Sequence, residues 1–190
     1  MLDRAEKLGR KAVALDPNCQ AARFTMTMIY FLRGQRKLFM EEFEQALQLN
    51  PNNTYFVACL ALHLAMVGEW ERGIKLTENA MRLNPHHLGH YHWVPFMNHY
   101  RQGEYDLAAI EAQRFNSPEF FWDPLNRAAV FGQLGHQVEA KIAVDELLAL
   151  VPDFEPRGRS LIRRFAYLDE HVDMLAEGLR KAGLEMQSEV

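Results

Sequence analysis

Five prolines punctuate this 190-residue chain at nearly equal intervals. They are Pro17 in "LDPN", Pro51 in "LNPN", Pro85 in "LNPH", Pro118 in "NSPE" and Pro152 in "LVPD", and successive ones lie 34, 34, 33 and 34 residues apart. Gly34, Gly68 and Gly135 each follow a proline by 17 residues, and Gly103 follows Pro85 by 18. A fixed period of this length marks a repeat architecture. Each repeat has two segments, with a glycine break in the middle and a proline break at the end. Segments such as "AARFTMTMIYFLR" and "MEEFEQALQLN" place apolar residues three and four apart, the period of a helix. Asn18 and Asn53 are placed as N-caps. Gly34, Gly68 and Gly135 are suited to the left-handed conformation that ends a helix. A proline just beyond a helix end stops propagation without removing a helical hydrogen bond.

With Tyr30, Gly34, Phe43, Ala46 and Pro51 in the first unit, Leu60, Ala61, Gly68, Ala80 and Pro85 in the second, and Ala128, Phe131, Gly135, Ala140 and Pro152 in the fourth, the chain resembles the tetratricopeptide repeat (TPR) family. Gly73 and Thr77 depart from the family pattern. The resemblance implies an all-α superhelix, or solenoid, of stacked helical hairpins. It divides the chain into a lone second-type helix over 2–16, units over 18–51, 52–85, 86–118 and 119–152, and a closing helix pair over 155–184. The lone helix "LDRAEKLGRKAVAL" has no first-helix partner, so a fragment of a longer array or larger protein is expected. Gly183, after Arg180 and Lys181, is placed as the C-cap of the last helix. The tail, together with "NPHHLGHYHWVPFMNHYRQGEYDLAA", is similar to the C-terminal TPR region of bacterial signalling proteins. Those carry an adenylate/guanylate cyclase-type domain or a winged-helix DNA-binding domain ahead of the array, and no segment here is similar to either domain.

Bulk properties narrow the function. The formal net charge of −4 argues against a nucleic-acid binder, which carries a basic surplus. No apolar run is long enough for a membrane span, and "MLDRAEKLGRK" is not a secretory signal. Cys19 and Cys59 are far apart without a metal-type spacing, and buried free thiols in a reducing cytosol are expected. The cluster "RGRSLIRR" over 157–164 reads as a solvated helix face. Glu69-Trp70 and Glu104-Tyr105 sit where a second helix begins.

The third unit is the irregular one. It holds His86, His87, His90 and His92 at its start, and His99 further on. His86 and His90, four apart, and His92 and His99, seven apart, are candidate metal ligands. A catalytic metal site needs a further ligand and a general base, and no acidic residue lies between 85 and 103. The competing reading is a polar, semi-aromatic helix start with Tyr91 and Trp93 packed on neighbours. Pro95 is expected inside the first helix, at a cost of about 3 kcal/mol unless the helix kinks. The second helix should run from about Glu104 to Phe115. Asp123 before Pro124 is placed as an N-cap.

In the TPR family the first helices line a concave face. Carried over by phase, that face comprises Phe24, Met28, Phe31, Tyr55, Leu62, Met66, His92, Phe96, Trp122 and Leu125. Phe24 and Met28 stand where some family members begin a Lys/Asn clamp for a C-terminal carboxylate, so that clamp is not expected. An apolar, aromatic, Met-rich face suits an amphipathic helix or an apolar extended segment. The expected function is a non-catalytic protein-interaction module without cofactor, cytoplasmic, serving a larger bacterial signalling protein and binding a peptide segment or a neighbouring effector domain. Two alternatives stay open: a metal sensor or enzyme built on the histidines, and a homodimer formed through the bare N-terminal helix.

Overall fold

The computed structural model describes residues 1–165 and 168–187. It is all-α, a TPR-type arrangement of helical hairpins, with no strand among the described residues. The chain forms two compact units, Met1–His86 and His87–Val190.

The first unit contains α1 (Leu2–Leu15), α2 (Gln20–Leu32), α3 (Arg36–Leu49), α4 (Thr54–Met66) and α5 (Trp70–Leu83). Helices α2 and α3 pair as one hairpin and α4 and α5 as another, while α1 packs on α2. Gly34 and Gly68 make the hairpin turns at φ of 68° and 95°, a region costly for any residue with a Cβ. The amide after each glycine returns to the helix: Gln35 N–H donates to the Tyr30 carbonyl at 2.9 Å and Glu69 N–H to that of Leu64 at 3.0 Å. This is the bond pattern that satisfies orphan carbonyls at a helix end. Phe39, Phe43, Leu60 and Leu64 are fully buried, with Ala46, Ala61 and Ala65 beside them letting the backbones approach.

Polar side chains tie the hairpins together. Gln20 Nε2 donates to the carbonyls of Ala46 (2.9 Å) and Asn50 (2.8 Å), and Gln20 Oε1 accepts from Asn53 Nδ2 at 3.1 Å. Asn53 in turn caps α4, its Oδ1 accepting from Phe56 N–H at 3.3 Å. One glutamine thus pins the start of α2 to the end of α3 and the start of α4. Asn18 does not cap α2. Cys19 holds that position without a side-chain bond, and Asn18 N–H donates to Asp16 Oδ1 at 3.0 Å, in an aspartate turn that starts two residues earlier. Cys19 and Cys59 are free thiols, and both are half-buried rather than buried.

The second unit contains a 3-10 helix (Gly89–His92), α6 (Trp93–Arg101), α7 (Tyr105–Phe115), α8 (Trp122–Leu134), α9 (Gln137–Leu150), α10 (Phe154–Arg163) and α11 (Asp169–Lys181). Helices α6 and α7 form one hairpin and α8 and α9 the next, turning at Gly103 and Gly135. Gly183 closes α11 at φ of 91°, with Leu184 N–H donating to the Leu179 carbonyl at 2.9 Å.

The structure departs from three local expectations. His90 and His92 lie not in an α-helix but in a 3-10 turn, and His86 and His87 precede it outside any helix. A Cβ on Gly89 would lie 1.8 Å from the Phe115 carbonyl oxygen, so the backbone of this turn presses directly on the end of α7. Because α6 starts only at Trp93, Pro95 falls in its first turn, where amides have no helical acceptor to lose. The expected penalty is therefore absent. Asp123 is not a cap either. Helix α8 begins at Trp122 after Phe121, and Asp123 is a buried first-turn residue whose carboxylate accepts from Ser117 N–H and from Arg127 Nε at 2.7 Å. It organises the loop that follows the left-handed Asn116 (φ 37°).

His63 on α4 is buried. Its Nδ1–H donates to the Cys59 carbonyl at 2.5 Å, and its ring meets Phe31 edge-on at 4.7 Å. Burial pushes its pKa down to about 4, against the smaller upward effect of that hydrogen bond. Unfolded, it titrates near 6.5. The folded chain keeps it neutral where the unfolded chain protonates it. Its contribution is intact above pH 6.5 and is lost as pH falls toward 4. His63→Leu is expected to take up about one proton fewer on unfolding in that window, which the pH dependence of denaturant midpoints measures. Pro95→Ala should lower stability by no more than about 1 kcal/mol, whereas a mid-helix proline would give a gain of about 3 kcal/mol on removal. Asp123→Ala should cost about 2–4 kcal/mol, since the Ser117 amide and the Arg127 guanidinium lose a buried acceptor. Urea unfolding separates the two.

Candidate interaction surface

On the first unit, the face built by α2 and α4 carries an aromatic run. Phe24 stacks on Phe56 with ring centroids 4.9 Å apart, and Phe56 leans on Tyr55 at 5.8 Å. Tyr55 is 50% exposed, and Phe24, Met28, Phe56 and Leu62 are half-buried. Large apolar side chains left in water at neighbouring positions are the usual mark of a contact surface. Phe31 and Met66, at 4% and 2% exposure, lie behind this layer. Phe31 contacts Phe39 and His63, so it supports the surface from beneath instead of presenting itself. Phe56 escaped the phase argument because it is one position past Tyr55. Only its stacking on Phe24 shows that it belongs. Burial raises the Cys59 thiol to about 11, with a hydrogen bond to Tyr55 acting weakly the other way, so the thiol beside this run is a poor nucleophile.

On the second unit, Phe96 and Leu125 are fully buried and Trp122 is 3% exposed. They serve helix packing: Phe96 lies against Tyr100 at 5.5 Å and Trp122 meets Trp93 and Phe165 edge-on. Of the four positions expected on this unit, only His92 keeps partial exposure.

The histidines have different neighbours, with the His87 and His92 rings 5.0 Å apart. His92 Nδ1 lies 2.6 Å from Glu111 Oε2 on α7, and Glu111 Oε1 accepts from Arg114 at 2.8 Å. Burial alone would raise the Glu111 carboxyl, but His92 and Arg114 outweigh it and hold it below its ordinary value. His99 Nδ1 lies 2.6 Å from Glu104 Oε2. Glu111 comes from α7 and Glu104 from the residue just before it, both beyond the acid-free stretch 85–103. His87 stacks on Tyr91 at 5.1 Å, and burial, then the nearby His87, lowers His90. His86 is exposed at the end of the first unit. Among the described residues no three His, Cys, Asp or Glu side chains converge as a metal site requires. In the arginine run, Arg157 pairs with Asp153, Arg159 with Asp173 at 2.7 Å and Arg163 with Asp169 at 3.0 Å, so much of its charge is answered locally.

No helix among the described residues is long and apolar enough to cross a membrane. No protein-family model matches the chain, and no curated protein matches its sequence. Solved structures do match its fold. One is PilW, described as a widely conserved type IV pilus biogenesis factor, with a TM-score of 0.70 and 17% identity over 93% of this chain and 82% of that one. Another is YrrB, described as a TPR protein with an unusual peptide-binding site, with a TM-score of 0.55 and 19% identity over 80% of this chain and 79% of that one. At these identities the likeness establishes the fold: helical hairpins of the TPR type.

Proposed function

We propose that the chain is a non-catalytic protein-interaction module whose first unit binds an apolar or amphipathic segment across α2 and α4. The observation that carries the reading is the partly exposed Phe24–Phe56–Tyr55 run, flanked by Met28 and Leu62. Rigid aromatics supply contact area at low entropic cost, and methionine adapts its shape to the ligand. The peptide-binding site ascribed to YrrB supports a segment as the ligand class. The single-residue pairing of His92 and His99 with carboxylates favours a structural role for the histidines over a metal-dependent one. A regulatory place in a larger bacterial signalling protein, next to an effector domain, rests on the resemblance of the tail. A cytoplasmic setting accords with the two free thiols.

A second reading concerns α1. Leu8 and Leu15, seven residues apart on this helix, are 57% and 78% exposed. Seven residues is two helical turns, so both side chains share a face. Pairing of two α1 helices would cover them, and light scattering across a concentration series tests this: an unchanging monomer mass rejects it.

The segment-binding reading is tested by selecting displayed peptides on the immobilised chain. Selected peptides should carry aromatic or aliphatic anchors. Phe24→Asp should weaken them at least about tenfold with the helical circular dichroism unchanged, because Phe24 already reaches solvent. Equal binding to Phe24→Asp would reject this surface. Phe96→Asp behaves differently. It buries a carboxylate without a partner and should lower stability by about 3 kcal/mol or more, visible as a depressed melting temperature before any binding is measured.

A further inference from the structure

Helix α11 is bound in the second unit in an unusual way. It packs chiefly along α8, only slightly on α10, and makes no substantial contact with α9 among the described residues. Among the described residues, the ion pairs Arg159–Asp173 and Arg163–Asp169 join it to α10 through aspartates that are 66% and 78% exposed. Such pairs contribute little. What holds α11 is the first-helix face. Tyr100 of α6 donates its hydroxyl to the Met174 carbonyl at 3.1 Å, and Lys181 Nζ donates to Gln133 Oε1 of α8 at 2.7 Å.

The backbones meet at glycine on both sides. A Cβ on Gly178 would lie 2.1 Å from the Tyr100 hydroxyl oxygen and 2.6 Å from the Ala129 carbonyl oxygen, and one on Gly132 would lie 2.1 Å from the Gly178 carbonyl oxygen. Residues 129 and 132 meet 178 and 182 in the same order, so α11 runs parallel to α8. One side of α11 is apolar and buried, with Val172, Leu175, Gly178 and Leu179, while Asp173, Arg180 and Lys181 face water. An amphipathic helix lying along α8, with the Tyr100 side chain of α6 bonded to its backbone, has the geometry of a helix-in-groove ligand.

We infer that α11 is an intramolecular ligand: it occupies the α6–α8 face, and that face takes in trans an amphipathic helix presenting a glycine between leucines once α11 leaves. The inference rests on the reading of the chain as a segment-binding module and adds the ligand pattern and its control. A tethered helix competes at an effective concentration of about millimolar. If the docked state is populated about a hundredfold over the open one, an external helix binds about a hundredfold more weakly than the bare face allows.

The probe is a fluorescent peptide spanning residues 168–187, titrated into the full-length chain. Gly178→Ala and Leu175→Ala, each made in the chain, damage only the tethered helix and leave the face intact. Each should bind the unaltered peptide at least about tenfold more tightly than the unsubstituted chain does. The same peptide carrying Gly178→Ala should not bind. Adding Tyr100→Phe to the Leu175→Ala chain should weaken the peptide several-fold, which locates it on α6. Circular dichroism checks both single variants, and either one that keeps its helicity decides the matter. Equal peptide affinity for variant and unsubstituted chains, or no binding to any, overturns the inference. Phe24→Asp separates the two surfaces: it should weaken display-selected peptides at least about tenfold and spare the α11 peptide. Loss of both would place the α11 peptide on the first unit and overturn the inference.

Discussion

Helices of 9 to 14 residues do not persist alone in water, because nucleation is costly and each added bond returns little. Burial of each helix against its neighbour is therefore the condition on which everything else here depends. The hairpin meets it locally. A left-handed glycine reverses the chain, the amide beyond it caps the first helix, and the second helix is delivered onto the first with alanines at the closest positions. The loop is short, so little entropy is lost in closing it. Long side chains then act on a structure already made. Arg72 reaches from α5 to Glu44 on α3 and lies 5.0 Å over the Phe43 ring, and Gln20 joins three helix ends.

This division explains what the sequence disclosed. Proline and glycine act on φ, ψ and the amide of their own residue, so Gly34, Gly68, Gly103 and Gly135 could be read as turns without any tertiary knowledge. Asn53 was legible as a cap for the same reason. Asn18 was not, because Asp16 competes for the turn two residues earlier, and both choices satisfy the same local rule. Pro95 falls in a helix interior only if the preceding stretch is α-helix, whereas Gly89–His92 is a 3-10 turn with Gly89 against the Phe115 carbonyl. That contact joins residues distant in sequence and leaves no local trace. Asp123 fits a cap by its neighbour Pro124 yet serves Ser117 and Arg127 instead.

The candidate surface was legible only in part, for a related reason. Helical phase tells which side of a helix a residue occupies, not whether another element covers that side. Phe24, Met28, Tyr55 and Leu62 keep solvent access, whereas Phe31, Met66, Phe96, Trp122 and Leu125 share the phase and are buried. In the second unit the covering elements include α11 and Phe165, which packs on Phe121 and Trp122. The amphipathic pattern of α11 could be read as a terminal helix, but nothing local in it says that α8 would be its partner. The one hint was compositional: glycines at 132 and 178, in the middle of helices, where they cost about 1 kcal/mol relative to alanine unless a close approach requires them.

That cost bears on the relation between stability and recognition. A glycine in each of two facing helices allows backbone-to-backbone approach, which makes the fit depend on the absence of two Cβ atoms. Apolar area alone would hold many helices against α8. The requirement for glycine at the crossing admits few of them, since any side chain there meets the Tyr100 hydroxyl or the Ala129 carbonyl. The face is selective by exclusion in the sense that specificity is a difference between affinities. The first unit is built the other way. Its Phe24–Phe56–Tyr55 run and Met28 offer area and adaptability without a comparable steric filter, so in the proposed role it would tolerate many sequences where the inferred α8 site would tolerate few.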